Sequence, residues 1–156
     1  MAATRAQVSA LIQGQLPTDV AAEAKALDTK LATFGGAVTG RGGRGGGGGG
    51  GFGGRGGGGA PAPGAVTSFI ALNGSFNTMV SMMQVGLDMA PTKAQIDTWE
   101  SDCKNYNTTV TAWKTMLSQD VVAFNALLSK NHLQPLTVTP TKLSAPSCTF
   151  TLPAAR

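Results

Sequence analysis

From Ile96 to Leu128, apolar residues recur at alternating spacings of three and four: Ile96, Trp99, Cys103, Tyr106, Val110, Trp113, Leu117, Val121, Phe124 and Leu128. A stripe with that period occupies one face of a helix and must be covered by other helices. It commits this part of the chain to packed α structure and argues against a sheet.

The stripe starts after a helix-entry signal. Ala90-Pro91 interrupts the preceding pattern, and Thr92-Lys-Ala-Gln95 fits a capping box with Thr92 as N-cap and Gln95 reaching back. Ser118-Gln-Asp120 is a second cap-like spot inside the stripe, so a kink or short break is expected there, followed by a last helix to about Asn131. Upstream, Phe69, Leu72, Phe76, Met79, Met83 and Leu87 define a helix over about 65–88. Met79, Met82, Met83 and Met89 make its packing adaptable. Gly74 and Gly86 weaken it, each by about 1 kcal/mol against alanine, and glycines on a helix often admit a close neighbour.

The N-terminal part reads as a helical hairpin. Val8, Leu11, Ile12 and Gln15 repeat at helical spacing over 4–16, and Leu16-Pro17 ends that helix. Thr18 is the expected cap of a second helix, with Asp19 in its first turn and a stripe of Val20, Ala24, Leu27, Leu31 and Phe34. Gly35-Gly36 stops it.

Between the two helical parts lies a tract that cannot build a core. Of 22 glycines, 19 fall between Gly35 and Gly64. Glycine has the most backbone entropy to lose, and nothing in the tract offsets ordering it, so a disordered linker is expected. The tract carries Arg41, Arg44 and Arg55 and no acid, which accounts for most of the net charge of +4. The remaining nine bases and eight acids leave the helical body near neutral, without a basic face for nucleic acid. Arg41, Arg44, Arg55 and Phe52 together resemble an RGG box, whose arginines would meet phosphates and whose phenylalanine would stack on bases. A soluble linker is the preferred reading of so few such residues, and an RNA-associated protein is the alternative.

The fold expected is therefore all-α: an up-and-down four-helix bundle of two hairpins. A hairpin over 4–34, a linker over 35–64, a hairpin with the long heptad-patterned helix over 65–132 and an extended tail over 133–156 divide the chain. Within the tail, Leu136-Thr-Val138 and Cys148-Thr-Phe-Thr-Leu152 alternate like short strands and are read as extended chain docked on the helices.

Chemistry-bearing residues are sparse. Asp97, Glu100 and Asp102 flank a helix start and read as a solvated, dipole-complementing set, not a catalytic pair. His132, the single histidine, stands at a helix end where it suits the dipole and can satisfy a last carbonyl. Trp99, Tyr106 and Trp113 read as core anchors, with an exposed docking face as the other reading. No catalytic residue, metal ligand set or cofactor site is assigned. Cys103 and Cys148 permit one disulfide and do not require it, and there is no CxxC or His/Cys cluster. Asn73-Gly-Ser and Asn107-Thr-Thr match the glycosylation pattern, which is given no weight here. No apolar run is long enough to span a membrane, and the first fifteen residues lack the apolar region of a signal peptide. The chain is thus expected either to stay inside or to be the end of a longer exported protein. Its oligomeric state is left open.

Several segments, Phe69-Ile-Ala-Leu-Asn-Gly-Ser-Phe76, Ala90-Pro-Thr-Lys-Ala-Gln95, Trp113, Asp120-Val-Val-Ala-Phe-Asn-Ala-Leu-Leu128 and His132-Leu-Gln-Pro-Leu136, resemble the C-terminal helical region of bacterial BNR-repeat, sortilin-like β-propeller proteins, often described as glycosyl-hydrolase-like. Leu16-Pro17 and Leu27-Asp-Thr-Lys-Leu31 fit the region between propeller and C-terminus. Val122 stands where the family often has proline, and His132 where it often has glycine. No blade repeat or BNR box is present, so any glycosidase activity of such relatives does not carry over. The resemblance implies a non-enzymatic accessory module, extracytoplasmic, whose partner is the propeller of the same parent chain or another protein.

Overall fold

The computed structural model describes residues 2–35, 61–85, 90–138 and 142–149. These residues are mostly helical, and no strand lies among them. The helices are α1 (Ala2–Ile12), α2 (Thr18–Thr33), α3 (Phe69–Val85), α4 (Lys93–Ser118) and α5 (Asp120–Lys130). Gly86, Leu87, Met89, the segment 36–60 and residues 150–156 lie outside the described residues.

The helix ends follow local chemistry, with some departures from expectation. Thr92 caps α4 in a full capping box: its N–H donates to Gln95 Oε1 at 2.7 Å, and Gln95 N–H donates to Thr92 Oγ1 at 3.3 Å. The break inside the long stripe is a single residue, Gln119, between α4 and α5. Thr18 does not cap α2. Pro17 takes that position with no side-chain cap, and its carbonyl accepts the Ala21 N–H at 2.9 Å. Helix α1 stops at Ile12 rather than 16, where Gly14 N–H turns back to Leu11 O at 2.9 Å. Helix α3 starts at Phe69 rather than 65, because the preceding residues are held extended (below).

In space α1 packs on α2, α2 on α5, α5 on α4 and α4 on α3. The main core lies among α1, α2, α5 and the C-terminal half of α4. Val8, Val20, Leu31, Met116 and Leu128 are among its fully or nearly fully covered side chains. Each such side chain contributes roughly 1.5–3 kcal/mol relative to exposure. The stripe foreseen for α2 is buried throughout. That of α4–α5 is buried at Cys103, Val110, Trp113, Val121, Phe124 and Leu128, but only half-buried at Ile96, Trp99, Tyr106 and Leu117. Phe69 at the start of α3 joins the two parts of the chain. Its ring meets Phe34 at 6.4 Å, Trp113 at 6.5 Å and Tyr106 at 6.4 Å, and Phe34 meets Trp113 edge-on at 5.4 Å.

Among the described helices α3 packs against α4 alone, with Phe69 also meeting Phe34 at the end of α2, and its stripe is partly covered. Leu72 and Met79 are buried, Phe76 is half-buried and Met83 is exposed, because no other helix reaches this side of α3. Gly74 admits no close neighbour: a Cβ there would meet nothing within 4 Å.

Two extended segments are paired to side chains where a sheet would use backbone. Ahead of α3, Ala65 N–H donates to Asn105 Oδ1 at 3.0 Å, while Thr109 Oγ1 accepts the Thr67 N–H at 2.9 Å and donates to the Thr67 carbonyl at 3.0 Å. Asn105 and Thr109 are fully buried on α4, one turn apart. These bonds satisfy backbone groups of a segment that has neither helix nor strand partners of its own. In the tail, Asn125 of α5 and Gln7 of α1 do the same for Leu136 and Thr137. The alternation at 136–138 therefore marks extended chain laid on helices, not a strand.

The end of α5 is a Schellman turn. His132 N–H donates to Ser129 O at 3.1 Å and Leu133 N–H to Leu128 O at 2.9 Å. His132 holds the left-handed position, φ 57°, where glycine is usual.

Candidate interaction surface

The residues that could carry chemistry are dispersed. No group of three His, Cys, Asp or Glu residues able to hold a metal occurs among the described residues. On α4, Asp97 turns back to Lys93 at 2.8 and 2.6 Å. That hydrogen bond, with the carboxylate charge, holds the exposed Lys93 ammonium above its usual pKa. Asp102 is not part of a solvated set: it is half-buried and accepts the Ser75 hydroxyl of α3. Asp97 and Asp102 therefore hold different partners, Lys93 and Ser75. The His132 side chain is exposed, and its backbone N–H, not its imidazole, satisfies the helix-end carbonyl.

Cys103 and Cys148 are joined in a disulfide that ties the tail to α4 across a sequence separation of 45. Asn107, one turn from Cys103, donates through Nδ2 to Pro146 O and to Cys148 Sγ, each at 3.2 Å. Its Nδ2 is thus engaged with the tail. Arg41, Arg44, Phe52 and Arg55 lie outside the described residues.

One part of the described surface, on α3, is apolar. Ile70, Val80 and Met82 on α3 are 63%, 48% and 54% exposed. Where α3 approaches the start of α4, Met79, Met83, Pro91, Gln95, Ile96 and Trp99 line an open cleft of about 80 Å³. Its walls are almost entirely carbon and sulfur, and its methionines can adapt to an occupant. Trp99 thus lines a cleft at the surface, while Trp113 is a core anchor. Periodicity places both tryptophans on one stripe. It carries no signal that the main core ends near Trp113, because that depends on where α2 and α5 pack. Among the described residues no helix is long and apolar enough to cross a membrane.

No protein family, characterised protein or solved structure matches the chain.

Proposed function

We propose that this chain is a non-enzymatic helical interaction module, the C-terminal part of a secreted β-propeller protein, docking on that propeller or on another protein. In this reading the hairpins 4–34 and 65–132 form one up-and-down bundle. The observation that carries it is the uncovered apolar side of α3, with Ile70, Val80 and Met82 in solvent. Exposed side chains of that kind on a helix covered by a single neighbour suit a protein partner better than a small substrate. The Cys103–Cys148 disulfide supports an oxidising compartment outside the cytoplasm.

The test is the mass of the native protein in its source cells, read with an antibody to the tail. A band far above 15.8 kDa in an exported fraction is expected. A cytoplasmic band at the mass of this chain alone overturns the reading. It would favour the alternative, RNA association through the arginines of the glycine tract, which predicts RNA binding lost when Arg41, Arg44 and Arg55 become serine.

A further inference from the structure

We propose that α3 pairs antiparallel with α3 of a second copy of the chain, Ile70 packing on the other copy's Val80 and Asn73 on the other copy's Asn77. This names the partner of the interaction face on α3 and rests on that reading of it.

Helix α3 carries two stripes. The first, Phe69, Leu72, Phe76, Met79 and Met83, turns toward α4. The second runs one residue later at the same alternating spacing of three and four: Ile70, Asn73, Asn77, Val80 and Gln84. A stripe of that period is what a helix presents to another helix. Every member of the second one is exposed, Ile70 and Val80 at 63% and 48%.

The order of its residues suits a copy of itself. About a two-fold axis residue i meets j and j meets i. With that axis level with Ser75, position 70 meets 80 and position 73 meets 77. The layers are then apolar on apolar, amide on amide, amide on amide, and apolar on apolar. An amide holds donor and acceptor together, so one can bond another. The run Ile-Asn-Asn-Val thus reads alike in kind from either end, which self-pairing needs and an unrelated partner does not. Charge agrees. None of the 17 residues of α3 is charged, against five of the 16 in α2, so the axis brings no like charges together.

The contact is small. Helix α3 is about 25 Å long and about 10 Å wide, so the pair buries on the order of 500 Å² in total, below the ~1,000 Å² of a lasting interface. The dimer is therefore weak and depends on concentration.

The experiment is sedimentation equilibrium on the full-length oxidised chain, from micromolar to about 1 mM. The mass should rise from 15.8 kDa toward twice that value. Ile70→Glu and Val80→Lys, both at exposed positions, should keep the helical circular dichroism and each weaken association by about tenfold or more. Mixed together they should associate again, because the new acid and the new base meet in one layer while Val80 and Ile70 still meet in the other. A chain that stays monomeric to about 1 mM overturns the pairing. The mass of the native protein in its source cells tests the module reading separately, whichever result is found. A dimer that either variant leaves intact lies elsewhere on the surface and overturns the proposal, and a mixture that stays monomeric refutes the antiparallel register.

Discussion

The side-chain amide of Asn125 holds Leu136 by both of its backbone groups: Oδ1 accepts the Leu136 N–H at 2.7 Å, and Nδ2 donates to its carbonyl at 3.2 Å. Gln7 repeats the arrangement one residue on, accepting the Thr137 N–H at 2.9 Å and donating to its carbonyl at 3.1 Å. Two helices thus supply, through amides, the ladder that a neighbouring strand would supply. Asn125→Ala removes both bonds at a partly buried site and should destabilise the protein by about 1–3 kcal/mol. Asn125→Asp keeps the acceptor but sets a carboxylate oxygen against the Leu136 carbonyl, so it should also destabilise. Urea unfolding gives the difference, and hydrogen exchange at Leu136 should accelerate in both. An unchanged midpoint for the alanine variant would mean that the clasp adds nothing to stability.

Thr109 is a sharper case, being wholly buried and bonded to both backbone groups of Thr67. Thr109→Val preserves shape and leaves an N–H and a carbonyl without their partner, at a cost of about 1–3 kcal/mol. Thr109→Ser keeps the hydroxyl and gives up one methyl, about 0.8 kcal/mol. Thermal unfolding should rank the valine variant below the serine variant, and the reverse order would show that packing, not hydrogen bonding, holds Thr67 there.

Reduction of Cys103–Cys148 opens a loop of 45 residues, which corresponds to about 4 kcal/mol of unfolded-state entropy. Denaturation with and without dithiothreitol should show a loss of that order. Helical circular dichroism should persist in the reduced native state, because the main core does not include either cysteine.

His132→Gly should stabilise the protein. The left-handed φ of 57° suits glycine, while the backbone bonds to Ser129 and Leu128 do not depend on the imidazole. Part of the gain is offset by glycine's greater freedom when unfolded, so an increase of about 0.5 kcal/mol is expected in urea titrations. A loss would assign the imidazole a role beyond the turn.

Gly74→Ala should stabilise α3 by up to about 1 kcal/mol, since its Cβ would meet open space and alanine is the better helix former. Calorimetry reads the change. A destabilised variant would reveal a partner lying on that face of α3 in the native assembly.

The helices were legible because apolar period and punctuation agree. Thr92 and Gln95 announce α4, and Val20 through Phe34 announce the buried side of α2. What stayed hidden depends on neighbours remote in sequence. Asn105 and Thr109 sit off the apolar stripe, and nothing local says that polar side chains there are buried. They are buried because extended backbone from 65–67 lies against them. The Pro17 cap competed with Thr18 and prevailed, since proline's fixed φ already suits the entry to a helix. Trp99 and Trp113 are equivalent by spacing and differ only in which end of α4 the rest of the fold covers.

The Phe69 N–H donates to the Phe34 carbonyl at 3.3 Å, and a Cβ on Gly35 would sit 3.3 Å from Ile70. The described chain on either side of the glycine tract therefore returns to one place, like the two posts of a gate. Closing a loop between fixed posts depends on its length only logarithmically, about 0.6 kcal/mol per doubling. A change in the length of chain between two such posts should therefore cost the folded body little.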